Sequence, residues 1–418
     1  LMICSRRFTG FLSRAATRNC AAFIMALGLL QGLCMNAWAD GNSVCILISF
    51  DGFRHDYISR LPNGAIKELI AHGCTADALI PVNPTKTFPN HWSIATGLYP
   101  SDHGIVDNRF YDRVLNDTFN MTRTEPVWWR GEPIWTTVER AGKTAFTYFW
   151  PGSSTPINGH LPSKWFTYEH SRDYTSRVDS IVTWASMPKP PDLIVSYFEL
   201  LDDAGHRYGP NAPQVDSALA VANSLISRLV KGLEARGVIN NCTIVLVSDH
   251  GMASTSLDRV IVLDDYISLD DVRVIDINPT LGLFPNAAKE EAVYRALKKA
   301  HPRLKVYRRH QTPKHWRFRE HPRIPPIVGV VDEGWQVLTR ATAERLRARG
   351  VTVSGQHGYD PKSPSMRTLF VAAGPAFRQG VVVKPFENVS LYNVLARVLG
   401  VRPAPNDGDP KVVKRLLR

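Results

Sequence analysis

Three stretches of this chain share one pattern. Val44–Phe50 (VCILISF), Leu193–Leu201 (LIVSYFELL) and Thr243–Ser248 (TIVLVS) are almost continuously apolar, and each runs into aspartate: Asp51, the pair Asp202 and Asp203, and Asp249. Short unbroken runs rich in Val and Ile predict parallel strands covered on both faces. Amphipathic helices fall between them. The clearest covers residues 215–236, where Leu219, Ala222, Ile226, Leu229 and Leu233 make one stripe and Gly237 stops it. Strands alternating with helices predict an open α/β sheet, with the ligand site outside the carboxyl ends of the strands. All three aspartate clusters are expected at such ends. From about Leu257 to Val353 the pattern loosens and Lys and Arg become dense, then the sheet pattern resumes at Arg367–Gly374 and an apolar helix follows over Leu391–Gly400.

The N-terminus has a different plan. Arg6, Arg7, Arg14 and Arg18 precede an apolar run from Ala21 to Leu33, and Ala37-Trp38-Ala39 supplies a small-x-small cleavage signature. That predicts a secretory signal peptide over residues 1–39, cleaved after Ala39, and a periplasmic or secreted protein with no stable membrane span. An uncleaved anchor is the alternative. The expected organisation is a catalytic α/β core over 40–256 and 354–418, with 257–353 an inserted subdomain near the substrate entrance. Its segment 305–323 carries seven Lys or Arg against one Glu, which predicts a solvated charged face or a surface that steers anions. The net charge of +12 falls to +8 once the four signal arginines leave, and a moderately basic exported protein suits anionic ligands, but the basic and aromatic interleaving is too brief to predict a specific nucleic-acid partner. Cys45, Cys74 and Cys242 remain after the signal, an odd number in apolar surroundings, read as buried thiols.

Candidate chemistry gathers at the predicted strand ends. Asp202 and His206 stand four residues apart, Asp249 and His250 are adjacent, His357 lies in a Gly-Gln-His-Gly turn, and Asp51 ends the first run. Three carboxylates and three imidazoles form a nitrogen and oxygen donor set suited to zinc and large enough for two ions. Two ions about 3.5–4 Å apart suit in-line displacement at phosphorus. The stretch PTKTFPNH, Pro84–His91, precedes a predicted short helix starting after Phe88. A threonine hydroxyl at that helix N-terminus, beside a metal, is a candidate nucleophile. Thr87 has the better position, although spacing alone leaves Thr85 open.

These residues sit in motifs that resemble the nucleotide pyrophosphatase/phosphodiesterase family of the alkaline phosphatase superfamily: SFDGFR (49–54), PTKTFPNHWSIATGLYPSDHGIVDN (84–108), EPIW (132–135), FWPGS (149–153), SDHGM (248–252), DEGW (332–335), GQHGYD (355–360) and GPAF (374–377). The resemblance implies an alkaline-phosphatase-like three-layer sandwich around a mostly parallel sheet, and a two-zinc enzyme hydrolysing phosphodiester or pyrophosphate bonds of nucleotides or similar small molecules. It implies Thr87 as nucleophile, one zinc held by Asp51, Thr87, Asp249 and His250, and the other by Asp202, His206 and His357. Asn108 is implied to donate to a phosphoryl oxygen, and Phe88 and Tyr197 to wall the substrate. Gln356 departs from the family's usual residue before the histidine. A phosphomonoesterase or phosphonate hydrolase of the same superfamily, or a non-catalytic metal-containing binding protein, are the competing expectations. No role is read for Lys86 or His91.

Overall fold

Seven strands form the central sheet, in the order Val381–Val383, Cys74–Ala76, Phe370–Ala373, Cys242–Val247, Val44–Phe50, Leu193–Phe198 and Ala145–Tyr148. This is a computed structural model, and it describes residues 43–418. The predicted signal segment 1–39 lies outside the described residues. Val44–Phe50 is the middle of a parallel block, paired with Leu193–Phe198 on one side and Cys242–Val247 on the other. Phe370–Ala373 runs antiparallel to both of its neighbours, so the sheet is mostly rather than wholly parallel.

Alternation along Val44–Phe50 explains the layers. Cys45 and Leu47 enter one core with Trp92, Ile94 and Leu395, while Ile46, Ile48 and Phe50 enter another with Leu219, Ile226 and Leu229. Successive side chains of a strand point to opposite faces, so a fully apolar strand needs helices on both. The predicted stripe forms the helix Pro213–Ala235, and Leu219, Ala222, Ile226, Leu229 and Leu233 are all buried. Each large side chain of that stripe contributes about 1.5–3 kcal/mol by leaving water. Cys45, Cys74 and Cys242 are buried and unbonded, and burial pushes the Cys45 thiol up to about 12.

Two local expectations shift. The run Leu193–Leu201 is not one strand: the strand ends at Phe198, and a helix covers Leu200–Tyr208. Asp202 therefore lies in the first turn of a helix, with His206 one turn later on the same face. The helix after PTK starts at Thr87, not after Phe88, and covers Thr87–Thr96. Pro89 fits there because the first turn needs no N–H acceptor pairing.

A second, antiparallel sheet has the order Val272–Asp276, Thr280–Pro285, Ile327–Val331 and Leu304–Arg308. Its core joins Leu281, Leu283, Leu297, Leu304 and Ile327 to Tyr359, which anchors the turn carrying His357. The basic segment is engaged internally as well as solvated. Arg323 is buried, donates to Asp112 at 2.6 Å and also meets the carbonyls of Gly104 and Trp128. Arg308 pairs with Glu290 and Glu291. No helix among the described residues is long and apolar enough to cross a membrane.

Candidate active site

The donor set is assembled from both ends of the chain around two glycines. Gly52 adopts φ +72° directly after Asp51, and a Cβ there would lie 2.9 Å from Asp202 Cα. Only glycine permits both that turn and the approach of the Asp202 helix. A Cβ on Gly355 would lie 2.3 Å from the Gly205 carbonyl, so the strand Val353–Gln356 also packs directly against that helix. The same strand pairs with Ala253–Ser256, Gln356 opposite Ala253, which brings His357 beside Asp249 and His250.

Two groups result. In the deeper one, His250 Nε2 is 3.0 Å from Asp249 Oδ2 and 3.2 Å from Asp51 Oδ1, and the Thr87 hydroxyl stands 3.3 Å from the same nitrogen. In the other, His206 Nε2 is 3.4 Å from Asp202 Oδ1 and 3.1 Å from His357 Nε2. The rings of His250 and His357 stack at 3.4 Å and join the groups. All three imidazoles engage Nδ1 with a main-chain carbonyl: His206 with Gly355 at 2.9 Å, His250 with Gly251 at 3.0 Å and His357 with Thr85 at 2.9 Å. Donating Nδ1–H to a carbonyl leaves the Nε2 lone pair facing the site, the arrangement of a metal-ligating histidine.

Electrostatics point the same way. Asp51 Oδ1, Asp202 Oδ1 and Asp249 Oδ2 are buried without a hydrogen-bond partner. Burial, then repulsion from Asp249 and Asp202, holds the Asp51 carboxyl well above the usual carboxylate range. Burial is likewise the largest influence on Asp249, but His250 and His91 beside it win and hold that carboxyl low. Burial and the neighbouring His250 and His206 push His357 well below the ordinary imidazole value. Unpartnered carboxylate oxygens converging with imidazole Nε2 atoms are costly in a dry interior unless a cation joins them. The residues fit bound metal: the donor atoms of Asp202, His206 and His357 lie within 4.8 Å of one another, as do those of Asp51, Asp202 and His250.

The two threonines separate cleanly. Thr85 is fully buried, donates its hydroxyl to the Tyr359 carbonyl and accepts from Gly358 N–H, both at 2.9 Å. Its own carbonyl orients His357, so Thr85 holds the His357 turn. Thr87 is the first helical residue, where the main-chain N–H has no intrahelical acceptor. Asn108 Oδ1 accepts from Phe88 N–H at 2.8 Å, which leaves the Asn108 NH2 group for the cavity. Lys86 is buried and paired with Asp107 at 3.1 Å and with Asp276, tying this loop to the second sheet. His91 bridges Ser49 Oγ and the Thr87 carbonyl at 2.8 and 2.9 Å. With both nitrogens occupied it braces the helix start rather than offering a lone pair.

A cavity of about 410 Å³ opens over this floor, lined by Asp51, Thr87, Asn108, Asp202, His206 and His357. Phe88 and Tyr197 line it too. Tyr197 is largely buried, and its hydroxyl donates to Asp51 Oδ2 at 2.6 Å. Sequence reasoning missed the other aromatic walls, Trp129, Phe149, Trp150, Phe166 and Tyr168, and the acid Glu199. FWPGS was the one available signal, for Phe149 and Trp150; Phe166 and Tyr168 lie in a loop without periodicity. Arg177 neutralises Glu199 through two hydrogen bonds of 2.8 and 2.9 Å. Gln356 turns its side-chain oxygen to the His357 N–H at 3.3 Å and takes no place in the donor set.

The mostly parallel α/β sandwich and its acid-histidine floor define a hydrolase with an alkaline-phosphatase-like fold. A type I phosphodiesterase / nucleotide pyrophosphatase family signature matches residues 45–360, and the chain belongs to that family. It is 37% identical to ectonucleotide pyrophosphatase/phosphodiesterase family member 3 of Bos taurus over 89% of this chain, but spans only 44% of that relative. It is 33% identical to human family member 5 and 35% identical to a bis(5'-adenosyl)-triphosphatase of Xenopus laevis, in each case over 89% of this chain, and spans 77% and 81% of those proteins. The structure matches murine family member 5 with a TM-score of 0.85 at 34% identity, covering 90% of this chain and all of that one. A threonine-to-alanine form of the murine protein, described as inactive, is in complex with AMP.

Proposed function

We propose that this chain hydrolyses phosphodiester or pyrophosphate bonds of nucleotides through a covalent phospho-threonine intermediate on Thr87. The observation that carries the reading is the Thr87 hydroxyl, 3.3 Å from His250 Nε2, at a helix N-terminus ringed by unpartnered carboxylate oxygens. Asp51, Thr87, Asp249 and His250 would hold one zinc ion, and Asp202, His206 and His357 a second. When bound, such ions lower the pKa of a coordinated hydroxyl and neutralise charge on phosphoryl and leaving oxygens.

The chain's own groups do the rest. The helix start and the Thr87 N–H favour the phosphoryl oxyanion, and the Asn108 NH2 group donates to a second non-bridging oxygen. Thr87 Oγ1 forms a bond to phosphorus while the bond to the leaving oxygen breaks, that oxygen keeping the electron pair and the threonine proton passing to solvent. Water then attacks the phospho-threonine, restores the hydroxyl and releases the phosphate-bearing product. Asn108 is neutral, which suits a diester better than the more highly charged monoester. Phe88, Tyr197 and Tyr168 would pack the base or a similar planar group.

Residues 257–353 are proposed as the inserted subdomain, and 1–39 as a cleaved signal delivering the enzyme to the periplasm or medium. The deciding experiment compares hydrolysis of the p-nitrophenyl ester of thymidine 5'-phosphate with p-nitrophenyl phosphate, with and without a chelator. Chelator-sensitive preference for the diester is expected; absence of chelator-sensitive turnover of either compound sinks the reading.

A further inference from the structure

Thr87 is bracketed by two cross-links to a second loop. On its N-terminal side the Lys86 ammonium meets the Asp107 carboxylate at 3.1 Å. On its C-terminal side the Phe88 N–H donates to Asn108 Oδ1 at 2.8 Å. Asp107 Oδ1 also accepts from the Asn108 N–H at 2.7 Å. Two consecutive residues of one loop thus hold both chain neighbours of Thr87, so the hydroxyl and the Asn108 NH2 group do not move independently.

A third anchor comes from the second sheet. Its strand Val272–Asp276 shifts register between Val274 and Asp276, and such a bulge bends the strand and re-aims a side chain. The Asp276 carboxylate pairs with the Lys86 ammonium through Oδ2, while Oδ1 accepts from the Asn278 N–H at 3.2 Å. The Lys86 stem is packed as well. A Cβ on Gly358, next to His357, would lie 3.2 Å from Lys86 Cε. An ammonium only 4% exposed carries a desolvation cost that an apolar side chain would avoid. What the two ion pairs add is direction, because charge-assisted bonds fix angle as well as distance. None of Lys86, Asp107 and Asp276 lines the cavity of about 410 Å³, so none touches a substrate placed there.

We propose that Lys86, Asp107 and Asp276 form a positioning clamp that sets Thr87 and Asn108 against each other, so that the second sheet takes part in the chemistry through Asp276. The proposal rests on the function put forward above. In-line attack needs the Thr87 hydroxyl on the axis of the breaking bond while the Asn108 NH2 group meets a non-bridging oxygen. A relative displacement of about 1 Å can cost about 100-fold in rate. Substrate binding is left to the cavity walls, so loss of the clamp falls on kcat and not on KM.

The test measures kcat, KM and zinc content with the p-nitrophenyl ester of thymidine 5'-phosphate. It uses wild type, Lys86→Met, Asp276→Ala and Asp276→Asn, each also combined with Asn108→Ala. Asp276→Ala is expected to lower kcat about 10-fold and Lys86→Met about 100-fold, with KM and zinc content within about 2-fold of wild type. Asp276→Asn keeps an acceptor on the ammonium and should recover most of the loss. On the Asn108→Ala background, Asp276→Ala should lower kcat by less than about 3-fold, because one member of the positioned pair is already gone. A purely structural role predicts the same factor on both backgrounds, and that result overturns the proposal. So does a kcat within about 2-fold of wild type in Asp276→Ala, or a loss that follows zinc content. If Lys86→Met fails to fold, the two Asp276 variants decide. Wild type inert towards the ester sinks the underlying function, and the clamp with it.

Discussion

The two halves of the site differ most in their access to solvent. Asp51, Asp249 and His250 are at most 1% exposed. The side chains of Asp202, His206 and His357 are 17%, 35% and 7% exposed. The deep half follows the ends of adjacent central strands, where Ser49 sits in register with Val247. The open half comes from one turn of the helix Leu200–Tyr208 and from the end of a two-stranded ribbon. A nucleophile gains most from rigid placement, because misalignment by about 1 Å can cost about 100-fold in rate. In the proposed reaction the opposite side must admit water and release a product. Burial thus divides the work of one donor set between holding and exchange.

The largest test of that division is Thr87→Ala, which should cut turnover by about 10⁴-fold or more while metal content, measured by atomic absorption, stays near that of wild type. An active Thr87→Ala alongside a dead Thr85→Ala would reverse the assignment. Next come the two histidines. His250→Ala leaves buried carboxylates facing one another and should cost about 3 kcal/mol or more in unfolding free energy. His206→Ala, partly exposed, should keep about one metal equivalent and a thermal midpoint close to wild type. Equal destabilisation of the two variants breaks the comparison.

A smaller effect is expected at Tyr197, whose hydroxyl orients Asp51. Tyr197→Phe should lower metal affinity or activity about 10–100-fold, read by zinc titration and kcat/KM, with the ring still in place. The smallest concerns the scaffold of the Thr87 helix. His103 is fully buried and meets Ser93 of that helix at 3.0 Å, while its Nδ1 accepts from Ile105 N–H. Burial first, then His321 and Arg323, lowers its pKa to about 3. Between the ordinary value near 6.5 and about 3, the unfolded chain binds a proton that the folded chain does not. Stability from this group is therefore complete above about pH 6.5 and is lost as pH falls, by at most about 1.4 kcal/mol per pH unit. Denaturant melts of wild type and His103→Gln from pH 7 to 4 read the slope, which should flatten in the variant.

Much of the frame was legible because apolar runs ending on aspartate have few structural solutions. Val44–Phe50 and Cys242–Val247 are such strands, and Leu219 to Leu233 is the helix stripe that covers them. Asp202 was read one element early for a physical reason. A buried strand and the first turn of a buried helix are both apolar, so Leu200 and Leu201 look like a continuation of Phe198. PTKTFPNH held two hydroxyls that spacing could not rank. Only the fold occupies the Thr85 hydroxyl with Tyr359 and Gly358 and leaves Thr87 facing His250.

The sequence by itself determined the α/β class, the strands at the centre of the sheet and the inventory of acids, imidazoles and hydroxyls that chemistry at phosphorus requires. These are local properties, carried by periodicity and by residue type. Tertiary structure decided which donors converge, which are deep and which open, and that Phe166, Tyr168 and Trp129 wall the same cavity as Phe88. Those facts depend on close approaches between segments far apart in the chain, at Gly52 against Asp202 and Gly355 against Gly205, and no local pattern encodes a distance across the fold.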